Sequence, residues 1–158
     1  MLHTIPPVFD SNSKVLILGS FPSVKSRETQ FFYGNPQNRF WRVIARLLNC
    51  EIPETAEEKR AMLLKNSIAL WDVVQSCEIK GSDDSTIRKV VPNDLSVITS
   101  TACIKKIFTN GGTADRLYKK YCQSQTEIQA VPLPSTSPAN AKFGFDELVE
   151  AWSVILKP

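Results

Sequence analysis

Short apolar runs of strand length alternate along this chain with segments of helical periodicity, and this alternation restricts the possible folds more than any other feature. The run KVLILGS, residues 14–20, is apolar up to its glycine, which indicates a buried strand. In NRFWRVIARLLNC, residues 38–50, apolar residues recur every three or four positions, as in a helix with one buried face. Alternating strands and helices predict an α/β fold whose parallel sheet is covered on both faces.

The same patterns predict four strands and five helices. Strands are expected at 14–20, 67–74, 103–112 and 126–144, the last opening into a loop, and helices at 38–50, 53–66, 92–100, 113–123 and 145–157. Thr55 and Glu58 have the spacing of a capping box, and Asn38 is a candidate N-cap. The polar segments 21–37 and 78–90 are expected to be long connections.

A length of 158 residues suits one domain, which we expect to span 1–158 with its core at about 14–156 and an N-terminal extension at 1–13. The net charge of +3 permits a nucleic-acid partner without arguing for one. No apolar run approaches the ~18 residues of a membrane span, and the N-terminus does not resemble a signal peptide. We therefore expect a cytoplasmic monomer without a membrane partner.

The cysteines and the single histidine argue against several kinds of site. Cys50, Cys77, Cys103 and Cys122 form no C-x-x-C pair, so we expect free structural thiols and neither a zinc nor an iron–sulfur site. His3 lies in a terminus that we expect to be mobile. A histidine-based catalytic triad or a two-histidine metal site is therefore not expected.

Ligands of open parallel sheets bind beyond the carboxyl ends of the strands, where three loops of this chain should meet. These loops are residues 20–38, 72–86 and 133–143. The first begins GSFPS, in which Gly19 allows close approach of a ligand and Ser20 and Ser23 offer hydroxyls. A plain strand-to-loop turn explains these residues equally well.

The segment FYGNPQNRFW, residues 32–41, combines aromatic rings with two side-chain amides. At least one of the rings at 31–33 is expected to face a cleft and stack on a planar ligand, with Gly34 leaving space beside it. Asn35 and Asn38 each bring a donor and an acceptor, as reading a base edge or orienting a water requires. Alternatively, Asn38 only caps the helix and Asn35 only forms a turn.

The last loop, LPSTSPANAK at 133–142, has three adjacent hydroxyls between two prolines. Proline stiffens the backbone, so Ser135, Thr136 and Ser137 point in defined directions that suit contact with phosphate oxygens, and Lys142 follows closely. A solvated loop without a ligand remains the alternative.

Taken together, these segments resemble the uracil-DNA glycosylase superfamily. GSFPS stands at the position of its first motif, and LPSTSPAN stands at that of its second motif, after the last strand. FYGNPQNRFW resembles the helix-entry segment of the mismatch-specific uracil and thymine glycosylases. With WDVVQSC and GSDDSTI between them, the combination looks most like the hypoxanthine-DNA glycosylase branch, over about residues 14–156.

The resemblance implies a three-layer α/β/α sandwich with a central four-stranded, mainly parallel sheet, and no cofactor. Some branches hold an iron–sulfur cluster, which the cysteine spacing here does not match. It implies a monofunctional DNA glycosylase that removes a deaminated base, hypoxanthine above all, from DNA in base excision repair. Phe21 stands where the mismatch branch has a catalytic asparagine, and the second motif lacks the histidine of other branches. By resemblance to the hypoxanthine branch, the catalytic amide is Asn38.

The implied mechanism extrudes the base from the duplex. Base contacts are expected from Gly19, Ser20, Phe21, Tyr33, Gly34 and Asn35, with Tyr33 stacking on the base and Asn38 orienting a water or bonding the base. DNA contacts are expected from Ser23, Ser135, Thr136, Ser137, Ala139, Asn140 and Lys142. Further candidates are Asp72, Ser82, Asp84 and Ser85, although a loop aspartate such as Asp84 more often forms a turn or cap.

Three alternatives remain open at this point. Uracil or mismatched thymine is compatible with the same residues. Phe21 in the slot of the usual asparagine also suits a catalytically inactive module that binds damaged DNA. The modest net charge permits an enzyme acting on free nucleosides or nucleotides, whose affinity would depend little on salt.

Overall fold

The structure, a computed structural model, describes residues 1–157. In chain order its elements are β1 (Val15–Gly19), α1 (Val24–Thr29), α2 (Phe40–Leu47), α3 (Ala56–Lys65), β2 (Ile68–Asp72), β3 (Val74–Lys80), β4 (Asp83–Pro92), α4 (Ser96–Thr99), β5 (Lys106–Asn110), α5 (Gly112–Tyr121), α6 (Gln123–Thr126), β6 (Ala130–Leu133) and α7 (Phe145–Trp152), followed by a 3-10 turn at Ser153–Leu156. Within the described residues, no helix is long and apolar enough to cross a bilayer.

A parallel sheet of four strands in the order β2-β1-β5-β6 forms the centre of the fold. All five residues of β1 are buried, as its uninterrupted apolar sequence predicts. The helix α2 packs against α7, α3 packs against β2, and α5 packs against β5 and β6. The predicted α/β fold with a central four-stranded parallel sheet flanked by helices is confirmed.

Parallel pairing brings the carboxyl ends of the strands to one edge of the sheet. Gly19 at the end of β1 lies opposite Asp72 at the end of β2, and Asn110 at the end of β5 lies opposite Leu133 of β6. The loops that follow these strands therefore start side by side, which is the arrangement that positions ligand sites in such folds.

Both segments predicted as irregular connections contain regular structure. Ser23 accepts a hydrogen bond from the backbone N–H of Ser26 and so begins the helix α1 inside 21–37. The segment 78–90 belongs to an antiparallel hairpin of β3 and β4, whose turn includes Gly81 at φ 59°. The apolar residues that the hairpin packs on the core, Val74, Cys77, Ile79, Ile87 and Val90, do not alternate strictly along its strands, so the sequence does not reveal them as a strand face.

The N-terminal segment is docked against the sheet, contrary to the expectation of a mobile terminus. Val8 exchanges two backbone hydrogen bonds of 2.9 Å with Leu70 of the edge strand β2, and the His3 N–H donates to the carbonyl of Gln75. Ile5 and Val8 are 2% and 0% exposed. The contacts of Val8 cover the outer edge of β2, and the bond to Gln75 of β3 fixes the position of His3.

Candidate active site

A cavity of about 630 Å³ lies at the carboxyl ends of β1, β2 and β5. Its lining comprises Gly19, Ser20, Phe21, Pro22, Ser23, Ser26, Phe32, Tyr33, Asn35, Asn38, Asp72, Ser82, Asp83, Asp84, Asn110, Ser135, Thr136, Ser137, Pro138 and Ala139. All three loops expected to gather there contribute to it. Its volume is within the range of pockets that hold one small ligand.

Asn38 immediately precedes Arg39, the N-cap of the helix α2, and lines the cavity. Its Oδ1 accepts hydrogen bonds from the backbone N–H of Phe40, at 2.9 Å, and from Oγ1 of Thr136, at 2.8 Å. The prediction of Asn38 as the N-cap is wrong by one residue, because the N-cap is Arg39 and Asn38 instead forms a turn with the N–H of Phe40. Because Oδ1 already has two donors, the amide group Nδ2 is the part of Asn38 that a ligand can use.

Thr136 belongs to the support of Asn38 rather than to the DNA-facing surface. It is 0% exposed, which corrects its expected contact with a phosphate. Its backbone N–H donates to Oδ1 of Asn110, and its Oγ1 accepts from Nδ2 of Asn110, both at 3.0 Å. Asn110 was missed in the sequence, although a polar residue at the carboxyl end of a predicted strand is a signal for it.

Tyr33 lines the cavity with a hydroxyl that has no hydrogen-bond partner. One face of its ring stacks on Phe40 at a centroid distance of 4.1 Å, and the hydroxyl is buried and unpaired. Burial raises the pKa of Tyr33, and the nearby Asp72 carboxylate raises it further, so the phenol keeps its proton at neutral pH. The hydroxyl is thus the group of Tyr33 that lacks a partner, whereas the sequence suggested its ring face.

His3, in the N-terminal segment, holds the carboxylate of Asp72. His3 Nε2 lies 2.8 Å from Oδ2 of Asp72, and the backbone N–H of Ile5 donates to His3 Nδ1 at 3.2 Å. Both side chains are buried. No local pattern in the sequence connects these two residues, which lie 69 positions apart.

Asp84, on the hairpin, faces the start of the first loop. Its Oδ2 accepts a hydrogen bond of 2.6 Å from Oγ of Ser20. Burial raises the pKa of the Asp84 carboxyl, and the bond from Ser20 partly opposes this. Ser82 accepts from the backbone N–H of Val24 and so ties the hairpin turn to α1.

A single arginine holds the loop 133–143 against the start of α2. The guanidinium of Arg39 donates to the carbonyl oxygens of Ser137, Asn140 and Phe143. The hydroxyl oxygens of Ser135 and Ser137 accept from backbone N–H groups two residues ahead, which leaves their own hydrogens available. The sequence alone shows Arg39 as one basic residue in a predicted helix and does not indicate these contacts.

Several other expected residues lie outside the cavity or have local roles. The N–H of Gly34 donates to Oγ of Ser26, and a Cβ at Gly34 would meet Oγ1 of Thr29 at 2.8 Å, so this glycine allows packing on α1 and not contact with a base. Asn35 lines the cavity while its Oδ1 forms a turn with the N–H of Gln37. Ser85 is exposed and bonded to Asp83 of the hairpin.

Two further residues expected to contact DNA lie beyond the cavity lining. Asn140 donates to the carbonyl of Ser135, and Lys142 is exposed on the loop. All four cysteines are free, with Cys50 and Cys103 exposed. Within residues 1–157, no cluster of three metal-ligating side chains is found.

Comparison with known proteins relates the whole chain to one family. The sequence model of the Uracil DNA glycosylase superfamily matches residues 6–156. A relative from Methanosarcina acetivorans, named Hypoxanthine DNA glycosylase, is 34% identical over 153 residues and covers 96% of both chains. A protein of the same name from Methanosarcina barkeri is 34% identical over 108 residues, which are 67% of this chain and 68% of the relative.

A solved structure agrees with this relation. The solution NMR structure of a candidate uracil DNA glycosylase from Methanosarcina acetivorans superposes with a TM-score of 0.80 at 32% sequence identity and covers 99% of both chains. Family match, relatives and fold therefore point in one direction, and this chain belongs to the uracil DNA glycosylase superfamily.

Proposed function

We propose that this protein is a DNA glycosylase that hydrolyses the N-glycosidic bond of a deaminated base, with hypoxanthine in deoxyinosine as the preferred substrate. The observation that carries this proposal is the amide of Asn38 on the wall of a cavity of about 630 Å³ at the carboxyl edge of the sheet. The relatives named Hypoxanthine DNA glycosylase support the choice of base. The products are the free base and an abasic site.

The target nucleotide leaves the duplex to reach this cavity, because the glycosidic bond is inaccessible inside the stack. Phe21, Phe32 and Tyr33 give the cavity an aromatic lining that suits a planar base. We assign contacts with the flanking DNA backbone to Ser23, Ser135, Ser137 and Lys142. Ala139 and Asn140 are assigned to fill the gap that the extruded base leaves in the stack. The loop that carries most of these residues is held in place by Arg39.

Asn38 acts in this mechanism as a hydrogen-bond donor. Cleavage of the glycosidic bond leaves negative charge on the departing base and positive charge on the sugar. Since Oδ1 of Asn38 is occupied by Phe40 and Thr136, its Nδ2 hydrogens are free to stabilise the departing base. A fixed donor of this kind contributes roughly 3 kcal/mol, of order 10²-fold in rate.

Asp84 is the group we assign to positioning the attacking water. Its carboxylate lies on the cavity and is oriented by Ser20. In its ionised form it accepts a hydrogen bond from water, which Asn38 cannot do while both acceptor positions of its oxygen are filled.

The test replaces Asn38 with Asp and, separately, with Ala, and measures single-turnover release of hypoxanthine from a deoxyinosine duplex. Asn38→Asp keeps an oxygen that accepts from the N–H of Phe40 and from Oγ1 of Thr136 but has no Nδ2 donor, so it separates catalysis from the structural role of the side chain. We expect both variants to lose roughly 10²-fold in rate, and only Asn38→Ala to unfold at a lower temperature.

Undiminished release by a folded Asn38→Asp would contradict the proposed role. A panel of duplexes with uracil, xanthine or mismatched thymine establishes the base preference. Tight binding of deoxyinosine DNA by the wild type without any base release would instead favour the inactive binding module.

A further inference from the structure

We propose that His3 is a positioning residue of the base pocket, and that it holds Asp72 so that Asp72 and Tyr33 together recognise the lactam edge that deamination creates in a base. The proposal rests on the proposed function and names the chemical feature that this site selects. His3 precedes residues 6–156, the stretch that matches the family. Its role therefore depends on the docked N-terminal segment of this chain.

The hydrogen bonds of His3 define which ring nitrogen carries the proton. The backbone N–H of Ile5 donates to Nδ1, so Nδ1 presents its lone pair. In the neutral ring, Nε2 then carries the hydrogen and donates it to Oδ2 of Asp72, 2.8 Å away. The carboxylate is thereby fixed through one oxygen, and Oδ1 remains for another partner.

The ring of His3 has little freedom to turn away from Asp72. It contacts Phe21, Phe32 and Trp71 at centroid distances of 6.0, 6.1 and 6.4 Å. Two of these rings also line the cavity, so the aromatic cluster links the N-terminal segment to the pocket wall.

Oδ1 of Asp72 and the hydroxyl oxygen of Tyr33 both lie close to Gly19. From the position that a Cβ on Gly19 would occupy, Oδ1 lies 2.4 Å away and the Tyr33 oxygen lies 3.0 Å away. The absence of a side chain at Gly19 is what allows both to approach. The buried Tyr33 hydroxyl lies near the Asn110 side chain but forms no hydrogen bond of good geometry within the protein, which is unfavourable unless a ligand supplies one.

This wall presents an acceptor beside a donor. An ionised Asp72 can only accept, whereas the Tyr33 hydroxyl can donate. Hypoxanthine offers the matching pair, an N1–H beside the C6 carbonyl, and uracil offers N3–H beside the C4 carbonyl. Adenine and cytosine present the reverse pair, a bare ring nitrogen beside an amino group, so the wall opposes the two undamaged bases with like groups.

Guanine carries the same lactam edge as hypoxanthine and an additional 2-amino group. Its rejection therefore depends on the space at C2 and on its stable pairing in the duplex, and not on Asp72 and Tyr33. The proposed feature recognises deamination of adenine and cytosine only.

The experiment measures recognition without requiring catalysis. Non-cleavable duplexes that contain 2′-fluoro-deoxyinosine or 2′-fluoro-deoxynebularine are compared, since nebularine is a purine with neither the C6 oxygen nor the N1 hydrogen. The readout is the dissociation constant of the nebularine duplex divided by that of the inosine duplex. A loss of folded protein weakens the apparent binding of both duplexes equally and leaves this ratio unchanged.

The variants are His3→Phe, His3→Gln, Asp72→Asn and Tyr33→Phe, with Val8→Ala as the matched control. Val8 docks the same N-terminal segment but touches neither Asp72 nor the cavity. We expect the wild type to prefer inosine, and His3→Phe, Asp72→Asn and Tyr33→Phe to reduce the ratio about 10- to 100-fold. His3→Gln retains a donor and should keep most of the wild-type ratio. Val8→Ala should lower the melting temperature without changing the ratio.

A ratio unchanged from the wild type in His3→Phe overturns the positioning role, as does a fall in Val8→Ala equal to that in His3→Phe. If His3→Phe does not fold, Asp72→Asn and Tyr33→Phe decide: an unchanged ratio in both overturns the inference, and a reduced ratio in both supports it. Failure of the proposed function has a different signature, which is no release of hypoxanthine by the wild type from cleavable deoxyinosine DNA.

Discussion

At the scale of single residues, three polar side chains of the cavity, Asn38, Asp72 and Asp84, each have one hydrogen-bonding group held by the protein and another left available. Oδ1 of Asn38 is bonded while Nδ2 is available, and Oδ2 of Asp72 is bonded to His3 while Oδ1 faces Gly19. Ser20 holds one oxygen of Asp84 in the same way. Such anchoring sets the direction of a side chain before a ligand arrives, which is the condition for electrostatic preorganisation.

Asp84→Asn should slow base release without reducing stability at neutral pH. Burial raises the pKa of this carboxyl above its ordinary 3.8, so folding disfavours its charged form. The acceptor needed for water is present above the folded pKa and is lost as pH falls through it. Single-turnover release by the wild type should therefore decline on the acid side, and that decline should be absent in Asp84→Asn.

The matched control for Asp84 is Glu78→Gln, which changes an exposed carboxylate on the same hairpin. It should retain the wild-type rate and pH profile. An acid limb that persists unchanged in Asp84→Asn would assign the titration to another group and remove Asp84 from the mechanism.

At the scale of elements, predictability follows burial. The apolar sequences of β1 and β2 identify them because buried parallel strands need apolar residues on both faces. The capping box of Thr55 and Glu58, predicted from spacing, is present at the start of α3. The hairpin of β3 and β4 was not predicted because its apolar residues are few and irregularly spaced, and its register shifts break the alternation of a regular strand.

The site was less predictable than the fold because its key contacts join distant parts of the chain. Asn38 was foreseeable from the helix-entry segment and its family resemblance. By contrast, Arg39 contacts carbonyls about 100 positions away, and His3 meets Asp72 only because residues 2–8 dock on β2 and on the start of β3. A single sequence carries no local signal for such pairings.

Arg39→Lys should loosen the loop 133–143 and weaken DNA binding by about 10-fold. The guanidinium donates to carbonyl oxygens of Ser137, Asn140 and Phe143, and a lysine ammonium cannot reproduce that planar fork. Hydrogen bonds to a charged group contribute about 1.5–3 kcal/mol each, so the free energy of unfolding should also fall. Fluorescence anisotropy with a non-cleavable duplex and urea unfolding measure the two effects.

Arg42→Lys is the control for Arg39, since the bonds of Arg42 to the carbonyls of Gln37 and Asn38 are long, at 3.4 and 3.5 Å. It should bind DNA within about threefold of the wild type. Equal behaviour of the Arg39 and Arg42 variants would show that the carbonyl contacts do not order the loop.

Thr55→Ala tests an element that lies apart from the cavity. Loss of the side-chain acceptor for the Glu58 N–H should lower the free energy of unfolding by about 1 kcal/mol. The rate of base release should not change, because α3 contributes no residue to the cavity lining. A large loss of activity would indicate that the stability of α3 is coupled to the site.

At the scale of the whole molecule, the fold separates support from recognition. The sheet and its helices bury the apolar residues, while the carboxyl edge collects loops from three strands and the docked N-terminal segment. The net charge is only +3, so attraction to DNA has to come from the local placement of donors around the cavity mouth and not from the overall field. The dependence of DNA affinity on salt concentration should therefore be modest.

Affinity for a deoxyinosine duplex should fall by roughly 10- to 100-fold between 50 and 200 mM salt, the effect of about two to four neutralised phosphates. Serine hydroxyls contact phosphate without releasing counterions, so a protein of this charge should show a shallower slope than strongly basic DNA binders. Lys142→Ala should reduce the slope by about 0.9 if this exposed lysine pairs with a phosphate. An enzyme for free nucleosides would bind with almost no salt dependence, so a flat plot would contradict a DNA substrate, whereas an unchanged slope in Lys142→Ala would only move the phosphate contact to another cation.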